Sequence, residues 1–288
     1  METMSVFLSR DIPAIRLATW NIDAREEGRD KRLTPIIETL RALDVDVVCL
    51  QECWVGAEKE IASALGMDNF TFYDAHDKET FGNAIISRLP LTPDYSIEHA
   101  LLPGLGEKPH PANLVAMTVQ SKSGRTWRIG STHLNWGGGG EGVRLGQVQE
   151  IEKLAKQAEM VLGKELVQVL AGDFNALPES STLRYITGLD GDRAGESTLW
   201  VDAWATRENS PGYTSTNDNP MVEEIARRQG ILNPVFLPNR RIDYILTRGF
   251  AYGRPGSPIN VKLLDRSFNG KYGSDHYGIV ANLWDPEI

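Results

Sequence analysis

The sequence predicts an α/β protein: two mixed, mainly antiparallel sheets packed face to face with helices outside. Apolar runs of strand length outnumber stretches with helical spacing, several runs are joined by short turns, and the first part of the chain alternates strand, helix, strand. The first run is Ile15 to Trp20 in "IRLATWN". Helical spacing follows at Arg32 to Leu43, where "RLTPIIETLRAL" carries an early proline. Val45 to Gln51 is the next nearly unbroken apolar run and closes the opening strand, helix, strand unit. Ala84 to Ser87, Leu114 to Gln120 and Trp127 to His133 continue the strands. Val143 to Leu162 is the second helical stretch, and Leu166 to Ala171, Ile242 to Thr247 and Tyr277 to Leu283 complete the pattern.

With 288 residues and 41% hydrophobic side chains the chain can bury a sizeable core. It contains neither an internal repeat nor a linker long enough to separate two domains, so one domain is expected. A net charge of −9 excludes attraction of nucleic acid by the surface as a whole, so a phosphate-rich partner has to be met by a local site. The start METMSVFLSRDIPAIR does not read as a secretory signal, and no segment has the run of about 18 apolar residues that a membrane span needs. No membrane span, a cytoplasmic location and a monomer are therefore expected. Cys49 and Cys53 both sit within a few residues of one strand-like run, which excludes a disulfide framework; without a nearby His or second Cys pair they read as buried free thiols rather than a zinc pair.

Polar residues sit where the apolar runs have no need of them. Four strands end in one: Asn21 after "IRLATW", Glu52 after "VDVVCLQ", His133 after "TWRIGST", and Asp173 with Asn175 in "LVQVLAGDFN". Two later strands begin with one, at Asp243 and at Asp275 with His276. Each has an ordinary reading: Asn21 and the "AGDFN" pair as turn residues, His133 as a structural imidazole, Asp243 as a cap or a partner of Arg240 or Arg241, and Asp275 with His276 as a loop. Six such coincidences at strand ends of compatible direction point instead to one shared edge. Carboxylates and carboxamides without a thiol are hard oxygen ligands that favour Mg²⁺ or Mn²⁺. Histidines beside them can stabilise charge developing on a phosphate. The chain has neither a G-x-S-x-G elbow nor a P-loop lysine, which leaves metal-assisted attack of water on a phosphodiester.

Other segments are read more plainly. "WGGGGEG", Trp136 to Gly142, lacks the lysine of a phosphate cradle and is expected to be a mobile loop. "AREEGRDKR", Ala24 to Arg32, is expected to be a solvated loop and helix start. Trp54, Trp200 and Trp204 are expected in the core or a groove wall.

In order and spacing, "TWNID", "LQE", "GNAIISRLP", "STHLNW", "AGDFN", "RIDYI" and "GSDHYGIVANL" resemble the endonuclease/exonuclease/phosphatase superfamily over nearly the whole chain. Within it, "TWNID", "STHL", "AGDFN", the "GYT" of Gly212 to Thr214 and "SDHYGIVANL" look most like the 5′-tyrosyl-DNA phosphodiesterase branch. That branch carries an aromatic residue after the Tyr-Thr, where Ser215 and Thr216 stand here. The resemblance implies a four-layer α/β sandwich, with residues 1–13 as an extension and 14–288 as a single catalytic domain, and one or two Mg²⁺ (or Mn²⁺) ions. Glu52 is implied as the principal metal ligand with Asn21 and Asp275 beside it, and Asp23 as an outer-shell group. Asp173 is implied to orient or deprotonate the attacking water, and Asn175 to hold a phosphate oxygen. His276 and His133 are implied to contact the phosphate, with Asp243 fixing His276, and Tyr213 to bind substrate. A phosphodiester in DNA or RNA, with a role in DNA repair, is the implied substrate. A small-molecule phosphodiester such as a sphingolipid or inositol phosphate is the alternative, and a catalytically dead scaffold is the reading from another class.

Overall fold

The computed structural model describes residues 12–74, 80–93, 96–104, 112–137, 139–191, 198–228, 230, 233, 237–249, 253–264 and 272–288. Among them lie strands β1 (Ala14–Asn21), β2 (Val47–Trp54), β3 (Asn69–Tyr73), β4 (Phe81–Ser87), β5 (Ile97–Leu101) and β6 (Asn113–Gln120). Strands β7 (Thr126–His133), β8 (Val167–Asp173), β9 (Trp200–Asp202), β10 (Asp243–Arg248), β11 (Pro258–Leu264) and β12 (Gly278–Trp284) follow. The helices are α1 (Arg29–Leu43), α2 (Ala57–Leu65), α3 (Glu141–Leu162), α4 (Ser181–Ile186), α5 (Ala203–Arg207) and α6 (Pro220–Arg228).

The strands form two 6-stranded sheets, ordered β11-β12-β1-β2-β4-β3 and β5-β6-β7-β8-β10-β9. Only β1 with β2 and β7 with β8 pair in parallel, each joined by a crossover helix, α1 or α3; every other pair is antiparallel. Period-two alternation decides which face each strand buries. Ile15, Leu17, Val47 and Cys49 of the first sheet meet Val115, Met117, Ile129, Val169 and Ile245 of the second in the central core. The opposite faces, at Ala18, Trp20, Val48 and Leu50, pack under Ile36 and Leu40 of α1 and Ile61 of α2. On the second sheet, Leu114, Leu170 and Leu246 pack under Val148 and Ile151 of α3 and Leu183 of α4. The result is the expected sandwich, helix layer on sheet on sheet on helix layer.

Several details differ from expectation. Strands β3, β5, β9 and β11 escaped the sequence reading because they are short or carry mixed burial, such as the exposed and half-buried residues of β5. Helix α1 begins at Arg29, so Pro35 lies inside it and removes a backbone donor there rather than opening the first turn. Asp275 and His276 lie in the turn before β12 and not on the strand itself. "AREEGRDKR" is more than a solvated loop, because Arg32 is buried and donates to the Ile22 and Asp23 carbonyls. Of the glycine loop before α3, Gly138 lies outside the described residues; on its near side Gly137 N donates to Asn135 Oδ1, and Arg144 donates to the Asn135 and Gly137 carbonyls. Both cysteines are buried and free, and burial pushes both thiols up. Trp54, Trp200 and Trp204 are buried. Among the described residues no helix is long and apolar enough to cross a membrane.

Candidate active site

The pocket is the polar end of the central core. The inward-facing row of β1 runs Ile15, Leu17, Thr19, Asn21, and that of β7 runs Trp127, Ile129, Ser131, His133. Both turn from apolar to polar as the strand leaves the sandwich. One register level of the second sheet carries Asn113, His133, Asp173 and Asp243 on four adjacent strands. In the first sheet Asn21 lies level with Gln51. Beneath this level a polar layer joins the sheets: Thr19 Oγ1 donates to Gln51 Oε1 at 3.3 Å, and Gln51 Nε2 donates to Ser131 Oγ at 3.0 Å. Asn83 Nδ2 donates to Asn113 Oδ1 at 2.7 Å and makes a second bridge between the sheets. Thr19, Gln51, Ser131, Asn83 and Asn113 were missed by the sequence reading, although the alternation of β1, β2 and β7 carried the signal for the first three.

Glu52 owes its position to a β-bulge. The pairing of β2 with β4 steps from Leu50↔Ala84 to Cys53↔Gly82, so Gln51 and Glu52 together face the level of Asn83. Glu52 takes a left-handed φ of 49°, a conformation that costs a side-chain-bearing residue of this type free energy and re-aims its carboxylate. Its Oε2 accepts from Ala24 N at 2.9 Å and its Oε1 from Asn21 Nδ2 at 3.1 Å. The same Asn21 amide donates to Asp173 Oδ2 at 3.0 Å, so one side chain links the two sheets across the pocket.

Asp173, His276 and Asp243 form the opposite wall. His276 Nδ1 is 2.9 Å from Asp243 Oδ2, and its Nε2 is 3.9 Å from Asp173 Oδ2, which also lies 3.5 Å from His133 Nε2. Asp173 Oδ1 accepts from Asn175 N at 2.8 Å, a local turn that gives Asn175 its φ of 48°. The turn before β12 is held by Ser274, whose hydroxyl donates to the Asn21 carbonyl at 2.6 Å and accepts from His276 N at 3.1 Å. Thr214 Oγ1 accepts from the amides of Ile242 and Asp243, and Thr214 O accepts from Tyr277 N at 2.7 Å. Ser274 and Thr214 thus position the Asp243–His276 pair, and neither was singled out from sequence for that task. Asp243 does not pair with Arg240 or Arg241; Arg241 pairs instead with Asp202 at 2.6 Å.

Burial alone pushes the His276 imidazole down, but Asp243, then Asp173 and Asp275, outweigh it and hold its pKa well above the ordinary value. Burial raises Asp243 above the ordinary carboxylate range, opposed only in part by His276. Burial also raises Asp275, reinforced by Asp23 and Glu52 and opposed by His276, to about 6. Asp23 is not free to meet a cation, because Arg25 and Arg32 both pair with its carboxylate. Asn21, Asp173, Asp243 and His276 are buried, whereas Glu52, His133, Asn175 and Asp275 keep part of their surface open to a ligand. Tyr213 is 40% exposed on the loop beside Thr214.

The set fits a divalent cation: Glu52 and Asp275 offer carboxylate oxygens, and Asn21 offers its Oδ1, which also accepts from Asp23 N at 3.1 Å, the chemistry of a hard metal. Asp173, Asp243 and His276 also bring one ligand atom each within 4.8 Å of one another. There His276 Nδ1 is engaged by Asp243 Oδ2 at 2.9 Å, which leaves its Nε2 to face a ligand.

The chain belongs to the Endonuclease/Exonuclease/phosphatase family, whose pattern it matches over residues 18–276. Members of this family are phosphoester hydrolases, generally dependent on a divalent metal, and the fold above is consistent with such an enzyme. Over 236 residues it is 26% identical to the inositol phosphosphingolipids phospholipase C of Schizosaccharomyces pombe, covering 76% of this chain and 53% of that protein. The chain thus spans about half the length of that curated relative. Among solved structures it shares its fold with D. rerio TDP2 complexed with single strand DNA product (TM-score 0.68, 17% identity, 95% of this chain and 100% of that one). A mannosyl-6-phosphatase of Bacteroides thetaiotaomicron is similar (TM-score 0.69, 16% identity, 94% and 100% covered). So is the human Nocturnin catalytic domain with bound sulfate (TM-score 0.62, 21% identity, 94% of each chain).

Proposed function

We propose that the protein is a divalent-cation-dependent phosphodiesterase that cleaves its substrate by direct attack of water, with residues 14–288 as one catalytic domain. The observation that carries this reading is the meeting of Glu52 and Asp173 around the Asn21 amide, with Asp275 close enough to feel Glu52 and the His276–Asp243 pair beside Asp173. Glu52, Asn21 and Asp275 would hold Mg²⁺ or Mn²⁺. Bound there, such an ion supplies Lewis acidity to the phosphoryl oxygens and charge for the departing alkoxide or phenolate. Asp173 orients the attacking water and takes its proton. His276, kept protonated by Asp243, donates to a non-bridging oxygen as charge builds on it, and His133 does so from the other side of Asp173. Asn175 spends one amide hydrogen on Leu134 O and keeps the other for a phosphate oxygen.

Two substrates suit this chemistry. A nucleic-acid end is supported by the fold shared with D. rerio TDP2 and by the exposed Tyr213. A small phosphodiester is supported by the net charge of −9, by the carboxylates of Glu179 and Glu208 beside Tyr213, and by the Schizosaccharomyces pombe relative. The chemistry is tested by hydrolysis of bis(p-nitrophenyl) phosphate with Mg²⁺ or Mn²⁺, with and without EDTA, in wild type and in Asp173→Asn. Loss of rate in EDTA and in the variant is expected; equal rates throughout would overturn the reading. Salt separates the substrates, since turnover of nucleic acid weakens steeply as salt rises and that of a small diester does not.

A further inference from the structure

We infer that Arg25 is a substrate-binding residue: beside Glu52 and Asp275, its guanidinium takes a second anionic group of the substrate, a phosphate carried on the esterified moiety. The inference rests on the phosphodiesterase reading above and deepens it by naming a residue and the charge it reads. Hydrogen bonds of its two preceding residues place Arg25 at the pocket. Ala24 N, one residue before it, donates to Glu52 Oε2 at 2.9 Å. Asp23, two residues before it, takes a left-handed φ of 61° and donates from its N to Asn21 Oδ1 at 3.1 Å. The guanidinium itself is held charged first by its hydrogen bond to Asp23, and Asp275 and Glu52 lie close enough to favour that charge as well.

The side chain is held on one edge only. Nε donates to both Asp23 carboxylate oxygens at 2.8 Å, Nη2 donates to Oδ2, and the Arg25 backbone N donates to Oδ1 at 3.1 Å. These bonds fix the guanidinium and leave Nη1 without an acceptor among the described residues, on a side chain that is 22% exposed. Fastening the loop does not need this arginine. Arg32, with a side chain only 7% exposed, already pairs with Asp23 at 2.7 Å and donates to the Ile22 and Asp23 carbonyls. A second, partly solvated cation on the same carboxylate adds little to stability. Arg29 braces the turn from the other side by donating to the Ala24 and Arg25 carbonyls. The guanidinium groups of Arg29 and Arg32 lie 5.5 and 5.4 Å over the Trp54 ring.

Three arginines thus gather around one buried carboxylate at the edge of the pocket, a local cationic patch on a chain of net charge −9. The other acids of the segment, Glu26, Glu27 and Asp30, are exposed, where solvent and salt screen them. A guanidinium with one edge fixed by a carboxylate presents its remaining N–H groups in a rigid plane, the geometry that suits a phosphate. A divalent ion on Glu52 and Asp275 would sharpen the demand. It would engage two of the carboxylates that favour the Arg25 cation and leave that cation to be met by an anion of the substrate.

The test compares kcat/KM, with Mn²⁺, for thymidine 5′-(p-nitrophenyl phosphate) and for the same diester carrying a 3′-phosphate, in wild type, Arg25→Gln and Arg25→Lys. Asp23 keeps Arg32 as its partner in both variants, and circular dichroism checks that they fold. Wild type is expected to prefer the substrate with the second phosphate. That preference is expected to fall about tenfold or more in Arg25→Gln and to survive in part in Arg25→Lys, which keeps the charge without the fork. No preference in wild type, or one unchanged in Arg25→Gln, overturns the assignment. A 3′-methyl phosphate in place of the 3′-phosphate distinguishes the sources of the anion: a retained preference assigns a neighbouring phosphodiester, a lost one a terminal phosphate. Calorimetric titration with thymidine 3′,5′-bisphosphate and with thymidine 5′-phosphate reads the site without chemistry. Tighter binding of the bisphosphate that is lost in Arg25→Gln supports the assignment, and equal affinities in wild type overturn it. Inactivity on both diesters with that binding difference intact counts against the phosphodiesterase reading alone.

Discussion

Three of the four non-glycine residues with positive φ among those described, Asp23, Glu52 and Asn175, lie in or beside the pocket. Backbone strain concentrated there is the signature of geometry held by its surroundings. Each side chain then has one task to test. Asp173→Asn keeps the hydrogen bonding of the turn but cannot take a proton, so kcat is expected to fall by about 10³-fold with the fold retained by circular dichroism. Glu52→Gln should weaken metal affinity, read by calorimetric titration, whereas His276→Ala should lower kcat far more than metal affinity. If His276→Ala abolished metal binding and left turnover intact, its placement would be wrong. The proton on His276 carries a pH prediction as well. Its pKa lies well above the ordinary imidazole value, so activity should persist through neutral pH and fall on the alkaline side. Asp243→Asn removes the largest cause raising it, and the alkaline limb of the kcat profile is expected to move down by about one pH unit or more.

At the scale of the element, the bulge in β2 and the turn before β12 aim the functional groups, and these were the features hardest to read. The polar strand ends were legible because a carboxylate or amide at the end of an apolar run needs a reason, and Asn21, His133, Asp173 and Asp243 all fall at the level where the core turns polar. A bulge leaves no mark in composition, so nothing in "VVCLQECW" shows that Gln51 and Glu52 would share one level and face different surroundings. Nor does charge patterning show that Arg25 and Arg32 fold back onto Asp23, because that needs a contact between loop and helix. Close sheet pairing adds a stability prediction. Gly172 in β8 has a φ of 146°, and a Cβ there would meet Thr132 O at 1.9 Å. Gly172→Ala is therefore expected to destabilise the fold by about 3 kcal/mol or more, measured by denaturant unfolding.

At the scale of the molecule, the acidic pocket sets how stability responds to pH. Asp275 has a folded pKa raised to about 6, so the folded state holds its proton more tightly than the unfolded chain does. Its contribution to stability is present at low pH and is lost as pH rises from about 4 through about 6. With EDTA present, Asp275→Asn is thus expected to melt several degrees above wild type at pH 7 and to show a smaller difference at pH 4. Added Mn²⁺ should reverse the order, because the ion favours the ionised carboxylate that burial disfavours.

The bridges Asn21 to Asp173, Gln51 to Ser131 and Asn83 to Asn113 all run from one sheet to the other. Neither half of the sandwich owns a working pocket, so a small hinge-like parting of the layers would silence the protein while most of its helical and strand content persisted. Heat inactivation should then run ahead of the loss of far-ultraviolet ellipticity, which makes activity the more sensitive gauge of whether the two halves are seated.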